Sequence, residues 1–150
     1  MQDVTQIREP NFGLDLPGEW EPTESVDEGT MVFRQAGGSA RTSVTLLGVR
    51  PLFAIADQRR LLEDYMSHRS RFEEGRAPAL KQSQLLAQEV GDVFEGVWSG
   101  EDPIAGRLVR HRVLLVGGLL ADFAYEATGV DEAAFAQQAD VVLGSATATL

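Results

Sequence analysis

The sequence predicts an α+β fold in which an antiparallel sheet is covered by two helices. Two observations support this class. Strand-like segments follow one another through short turns, whereas a parallel pair would need a crossover of roughly a dozen residues or more. Two segments with helical periodicity are separated by these strands instead of alternating with them. The length of 150 residues, 43% of them hydrophobic, predicts a single domain over residues 1–150.

The first half of the chain begins with an alternating strand. In Phe12–Pro17 the apolar residues Phe12, Leu14 and Leu16 share one face. Trp20 follows the next turn, between two acidic residues, and its large apolar ring predicts a core anchor.

A hairpin is predicted after an acidic, exposed loop at 21–29. Residues 31–35 and 42–49 both have strand composition, and Gly37 and Gly38 lie between them. Glycine pairs of this kind supply the positive φ angles that tight hairpins need.

The clearest helix is predicted over residues 53–74, and Gly75 with Pro78 ends it. Its apolar residues recur at spacings of three, four and seven, while charged residues fill most of the remaining positions. His68 borders the apolar stripe, so we expect it at the edge of the core. The apolar residues are Leu61, Leu62, Tyr65, Met66 and Phe72.

The second half predicts a meander of four antiparallel strands. Turn residues separate the segments, with Gly117 and Gly118 before the last one. The predicted strands are 82–90, 92–99, 104–116 and 119–128.

The register of the last two strands can be predicted from the faces that it creates. A two-residue loop would place Arg112 opposite Phe123 and would give two mixed faces. A shift of one residue instead gives one face with Arg and acidic residues and one apolar face. We therefore predict the shifted register, with Arg110 and Arg112 beside Asp122 and Glu126. The apolar face would hold Val109, His111, Val113, Leu115, Ala121, Phe123 and Tyr125.

A second helix is predicted over residues 131–144. Asp131 is a good N-cap, and the apolar residues are small, which suits close packing on a sheet. They are Ala134, Phe135, Ala139, Val142 and Leu143.

Charge and cysteine content exclude several classes of function. The net charge of −10 argues against general nucleic-acid binding, which needs a cationic field. It is divided into acidic ends at 1–30 and 82–150 around a basic middle at 31–81, which favours charge pairing inside a folded domain. The chain has no cysteine, so disulfides, thiol nucleophiles and cysteine-ligated zinc are excluded.

No membrane span or secretory signal is predicted. The longest apolar run, 113–120, is far shorter than the roughly 18 residues of a span, and the first residues lack a basic segment followed by an apolar one. A cytoplasmic chain and an exported domain whose signal has been removed both fit. Almost all of its bases are arginine, which favours a bacterial source with a GC-rich genome.

The order of these elements resembles a known family. FGLDLPGEWE at the start, a hairpin, a long helix, a meander ending in LLADFAYEA and a final helix beginning DEAAF are similar to the PsbP-like superfamily, which includes PsbP, the Ran-binding Mog and bacterial DcrB and LpqN. The resemblance implies an α/β/α sandwich. Because members are mostly non-enzymatic and bind other proteins, it also implies an accessory or binding role.

A search for enzyme motifs finds no nucleophile elbow, phosphate-binding loop or zinc-protease helix. Catalysis would depend on a Ser or Thr with His68 or His111 as base. A metal would need both histidines together with carboxylates such as Asp122 or Glu126. We predict no catalytic residue, no cofactor and no metal.

Three hypotheses follow for function. The first is a chaperone-like module that binds an unidentified protein partner through the acidic segment or the Arg-bearing sheet. The second is a small-ligand or lipid carrier with an apolar pocket between the sheet and helix 53–74, lined by Tyr65, Phe72, Val113 and Phe123. The third is an enzyme using His68 or His111.

A homodimer and a monomer both fit. The candidate partner-binding residues are Glu19, Glu21, Glu24, Asp27, Glu28, Arg110 and Arg112.

Overall fold

A computed structural model describes residues 4–23, 29–76, 80–83 and 85–149, without the side chains of Phe72, Glu74 and Arg76. In these ranges the chain has an α+β fold, as predicted. The elements are β1 (Val4–Arg8), β2 (Phe12–Pro17), β3 (Trp20–Thr23), β4 (Thr30–Gln35), β5 (Arg41–Gly48), α1 (Ile55–Arg76), β6 (Lys81–Gln82), β7 (Leu86–Val90), β8 (Val93–Asp102), β9 (Arg107–Val116), β10 (Leu119–Thr128), α2 (Glu132–Gly144) and β11 (Thr147–Ala148).

The described strands form one large and one small antiparallel sheet. The large sheet has eight strands in the order β3-β4-β5-β10-β9-β8-β6, and β7 also pairs with β8. The small sheet has the order β1-β2-β11. The predicted meander is confirmed, except that the segment 82–90 forms two short strands, β6 and β7, which pair with successive parts of β8.

The predicted register between β9 and β10 is wrong. Phe123 lies directly opposite Arg112, and Tyr125 lies opposite Arg110. Val116 and Leu119 are the last paired residues, so Gly117 and the glycine after it form a two-residue loop. Gly117 has a φ of +56°, which is the conformation that the first central residue of such a loop needs and that other residues rarely adopt.

The predicted register is wrong because both faces of the large sheet are covered, so neither face needed to be uniformly apolar. One face packs on α1 through a cluster that includes Leu62, Met66 and Val113. The other face packs on α2 and the small sheet through a cluster that includes Leu14, Phe123 and Val142. Each face therefore contains apolar residues together with polar residues that find partners in the covering layer.

The predicted salt-bridged surface is also wrong, because its members lie on opposite faces. Arg110 and Arg112 lie on the α2 face, whereas Asp122 and Glu126 lie on the α1 face. Glu126 instead pairs with Arg107 at 2.9 Å, and Arg107 reaches Glu73 of α1 at 2.8 Å. These pairs tie the carboxyl-terminal end of α1 to the sheet.

Both predicted helices are confirmed. Helix α1 begins two residues later than predicted, at Ile55, because Gln58 folds back and donates to the carbonyl of Leu52 at 3.0 Å. In α2 the Asp131 carboxylate accepts from the Ala134 amide at 3.3 Å, as expected of an N-cap. His68 is exposed, so the prediction that it lies at the core edge is wrong.

The amino-terminal strands enclose the α2 side of the core. Phe12, Leu14 and Leu16 are buried on one face of β2, and Trp20 is 7% exposed, as predicted. Strands β1, β3 and β11 were not predicted. β1 has few apolar residues, β11 has two residues in total, and β3 extends to Thr23, inside the segment that was predicted as an acidic loop. No helix in the described part of the chain is both long and apolar enough to cross a membrane.

Candidate functional site

A groove with a largely apolar lining lies beside α2, and we call it the α2 groove. It has a volume of about 570 Å³. It lies where α2 separates from the turn after β2 and from the β4–β5 hairpin. The residues that line it are Pro17, Gly18, Glu19, Gln35, Gly38, Ser39, Ala40, Tyr125, Ala127, Val130, Ala134, Phe135 and Gln138.

Aromatic rings form the floor of the groove. The ring centroids of Tyr125 and Phe135 are 5.4 Å apart, and the buried ring of Trp20 supports Tyr125 with their centroids 6.3 Å apart. Both pairs are tilted, which is a favourable arrangement for aromatic rings. Burial raises the pKa of the Tyr125 hydroxyl above its ordinary value, so this group stays protonated at neutral pH and can donate a hydrogen bond.

Short hydrogen bonds fix one wall of the groove. The Ser39 hydroxyl donates to the carbonyl of Thr128 at 2.7 Å and accepts from the amide of Thr128 at 3.1 Å. A Cβ at Gly38 would meet the amide end of the Gln35 side chain, which would then have to move. The hairpin that the glycine pair predicted thus brings Gly38 and the amide of Gln35 together at the groove.

Small residues of α2 leave the groove open on the opposite wall. Ala134 is exposed and lines the groove, whereas Phe135 and Ala139 are buried beneath it. Gln138 lies one turn after Ala134 and adds an amide to the rim. The groove thus combines an aromatic floor with uncharged hydrogen-bonding groups.

The predicted acidic partner-binding residues are only partly described. Glu19 is exposed at the rim of the groove. Glu21 is exposed one step further along β3, opposite Arg34 of β4. The other three, Glu24, Asp27 and Glu28, lie outside the described residues.

The two predicted arginines are engaged inside the fold. Arg110 pairs with Asp140 of α2 at 2.5 Å. Arg112 pairs with Glu95 at 2.7 Å and donates to the carbonyl oxygens of Leu143 and Ala146 at 2.7 and 3.2 Å. Because Arg112 satisfies the carboxyl-terminal end of α2, it acts as a structural cap.

A second polar site lies under α1, and its two central residues are sealed from solvent. His111 and Asp122 are 1% exposed each, and His111 Nδ1 lies 2.8 Å from Asp122 Oδ1. The Tyr65 hydroxyl donates to Asp122 Oδ2 at 2.5 Å, and Arg69 Nε lies 3.8 Å from the same oxygen. We call these four residues the α1 polar cluster.

The electrostatics of the α1 polar cluster favour an ionised carboxylate. Burial opposes the charge of Asp122, but attraction to His111, hydrogen bonds from His111 and Tyr65, and the charge of Arg69 together lower its pKa. Burial and the neighbouring Asp122 charge raise the pKa of the Tyr65 hydroxyl. An ionised Asp122 requires that Nδ1 of His111 carries the proton in their hydrogen bond.

This arrangement contains the base and the orienting carboxylate of a catalytic triad without the third member. Within the described residues, His111 Nε2 has no hydrogen-bond partner, and the edge of Trp98 lies against the ring, with the two centroids 5.3 Å apart. His68 is not part of the cluster. Searched over the same residues, no group of three His, Asp or Glu side chains could hold a metal ion.

The lining predicted for a carrier pocket is also wrong. Val113 and Phe123 lie on opposite faces of the large sheet, so they cannot line one pocket, and both are fully buried. Of the other two predicted lining residues, Tyr65 lies on the α1 side and bonds to Asp122, and the side chain of Phe72 lies outside the described residues. The groove lies on the α2 side, where the small residues of α2 predicted close packing but not an opening.

The fold has counterparts among solved structures. The solution structure of cyanobacterial PsbP (CyanoP) from Synechocystis sp. PCC 6803 is similar with a TM-score of 0.70 and 12% sequence identity, over 99% of this chain and 94% of that one. A crystal structure from Bacteroides thetaiotaomicron has a TM-score of 0.52 and 12% identity, over 93% of this chain but 45% of that one. No family model and no curated protein sequence matches the chain. The chain therefore has a PsbP-like fold.

Proposed function

We propose that this protein is a non-enzymatic accessory module that binds an extended segment of a partner protein in the α2 groove. The observation that carries the proposal is the groove itself, a concave surface beside α2 whose floor is formed by the rings of Tyr125 and Phe135, each 5% exposed. A concave, mostly apolar groove with a few polar groups at its rim is typical of a binding site.

The rim of the groove suits a polypeptide. The amide groups of Gln35 and Gln138 can both donate to and accept from a peptide backbone, and the aromatic floor can hold an apolar side chain. A protein segment supplies both kinds of group, backbone amides and apolar side chains, so it matches a groove that offers amide groups beside an apolar floor.

The acidic residues near the groove indicate which charge the partner segment carries. The segment 19–28 contains five acidic residues and no base, and Glu19 lies at the groove rim. Glu19 forms no ion pair with any described residue. We therefore propose that the partner segment carries lysine or arginine next to its apolar residues, because complementary charge steers and orients association.

The side chains that solvent can reach favour binding over catalysis. His111 and Asp122, the pair best suited to activate a nucleophile, are sealed under α1, and the groove contains neither histidine nor carboxylate other than Glu19 among its lining residues. A general base must come within hydrogen-bond reach of a substrate proton.

Selection from a phage-displayed library of random 12-residue peptides tests this proposal. We expect enrichment of peptides with an aromatic or aliphatic residue beside lysine or arginine. Their affinity should fall at least tenfold in Ala134→Trp, which fills the groove, and should not change in Ala133→Trp, which adds the same side chain at an exposed neighbouring position. Equal enrichment on the wild-type chain and on Ala134→Trp would contradict the proposal.

A small-ligand carrier is the second candidate, because about 570 Å³ lies within the range of roughly 300–1,000 Å³ for small-molecule pockets. Native mass spectrometry of the purified chain distinguishes the two. A co-purified lipid that is present on the wild type and absent from Ala134→Trp would favour the carrier, and a bare chain would favour the peptide site.

A further inference from the structure

We propose that strand β7 is the contact of a homodimer, in which two copies pair their β7 strands antiparallel around a two-fold axis at Gln88. The surface is separate from the α2 groove. It would join two eight-stranded sheets into one continuous sheet.

β7 is an edge strand. It pairs with β8 along its full length, from Leu86 opposite Val97 to Val90 opposite Val93. On its other side it pairs with no strand in the described part of the chain. An edge of this kind presents backbone amides and carbonyls that another strand can pair with.

The side chains of β7 are unusually apolar for an edge. Leu86 is 69% exposed and Val90 is 46% exposed, and alternation places both on the same face of the strand. Natural edge strands are commonly protected by charged residues or proline. A second copy would cover these two side chains.

The sequence of β7 is complementary to itself. With the axis at Gln88, Leu86 lies opposite Val90 of the partner subunit, and Ala87 lies opposite Glu89 of the partner subunit. Gln88 lies opposite its own copy, and two amides can exchange donor and acceptor across an axis. Each pair is apolar with apolar, small with charged, or amide with amide, so like charges do not face each other.

Arg59 of α1 provides a positive charge that complements Glu89 of the partner subunit. Arg59 Nη1 donates to the carbonyl of Ala87 at 3.2 Å. In the proposed pairing Glu89 of the partner subunit lies opposite Ala87 and therefore beside Arg59. Within this chain Glu89 is exposed and forms no ion pair with any described residue, which leaves it available for the intermolecular pair.

Sedimentation velocity over a concentration series tests the dimer. We expect a reversible change from monomer to dimer as the concentration rises. Leu86→Lys, which puts a charge opposite an apolar residue, should weaken the dimer at least tenfold. Ile104→Lys, at another exposed apolar site in the β8–β9 turn, should leave it unchanged. A wild-type chain that stays monomeric up to about 200 μM would overturn the proposal, as would equal effects of the two variants.

A charge exchange tests the register. Glu89→Arg should weaken the dimer because two arginines then meet, and Arg59→Glu combined with Glu89→Arg should restore it. If these variants or Leu86→Lys fail to fold, a single thiol decides the question, because the chain has no cysteine. Gln88→Cys should give an intermolecular disulfide on oxidation far faster than Gln137→Cys. Equal rates for the two would contradict the pairing.

Discussion

The two faces of the large sheet hold opposite kinds of site. The α1 face has residue types that perform acid–base chemistry: His111 and Asp122 are sealed from solvent, and the half-buried Tyr65 also bonds to Asp122. The α2 face has an aromatic core and an open groove with amide and hydroxyl groups at its rim. The residues capable of chemistry are thus placed where they stabilise the fold, and the accessible surface is suited to holding a partner.

The sealed face also shows how a buried charge is tolerated. An isolated carboxylate in an apolar interior is strongly unfavourable, whereas one that accepts hydrogen bonds from several groups is stable. Asp122 accepts from Tyr65 and His111 and lies near Arg69. Since these partners come from α1 and β9, the carboxylate at the centre fixes the position of the helix on the sheet.

The largest expected effect comes from removing that carboxylate. Asp122→Ala leaves the buried His111 and the half-buried Tyr65 with an unpaired polar atom each, so we expect a loss of about 3–5 kcal/mol in the free energy of unfolding. Urea denaturation followed by circular dichroism measures it. Asp92→Ala, at an exposed position in the β7–β8 turn, should change stability by less than about 0.5 kcal/mol. If both variants lose only a similar, small free energy of unfolding, the Asp122 carboxylate does not stabilise the α1 face, and the contrast between the two faces is wrong.

Tyr65→Phe should have the next largest effect. It keeps the ring on the sheet but removes the hydrogen bond of 2.5 Å to Asp122, so the carboxylate loses one of its donors. We expect a loss of about 1–3 kcal/mol, measured by the same denaturation. A neutral result would show that the hydroxyl contributes nothing to holding α1.

Acid should weaken the α1 polar cluster selectively. The pKa of Asp122 is lowered in the folded chain, so the folded state favours the ionised form more than the unfolded state does. The resulting stability is present above the unfolded pKa of about 3.9 and is lost as the pH falls below it towards the folded pKa. Denaturation midpoints should therefore fall more steeply below pH 4 for the wild type than for Asp122→Asn. Parallel curves would contradict the lowered pKa.

The smallest effect is expected at the rim of the groove. Gln138→Ala removes one amide that faces the groove, whereas Gln137→Ala removes an amide from an exposed position outside it. A single hydrogen bond contributes about 0.5–1.5 kcal/mol, so binding of a selected peptide should weaken by roughly two- to tenfold in the first variant only. Isothermal titration calorimetry measures this, and an equal change in both variants would place the peptide elsewhere.

Local signals predicted the elements well. The alternation of Phe12, Leu14 and Leu16 predicted β2 with its observed ends, and the capping carboxylate of Asp131 predicted the start of α2. These features depend on residues close together in the chain, so sequence patterns are sufficient to identify them.

The register and the site could not be predicted in the same way. The mixed face of β9 is stable because Arg112 reaches carbonyls 31 and 34 residues later in the chain, at the end of α2. The register prediction assumed that one face of the large sheet is exposed, and it is wrong for that reason. The groove likewise depends on how α2 sits against the β4–β5 hairpin, which no local pattern specifies. Small residues such as Ala134 indicated close packing but not the opening beside it.

Nuclear magnetic resonance of the ¹⁵N-labelled chain during titration with a selected peptide tests the central claim most directly. The groove account predicts amide shift changes at Gly38, Ser39, Ala134 and Gln138, with those of His111 and Asp122 unchanged. Changes centred on the α1 polar cluster, with the groove amides unaffected, would contradict it.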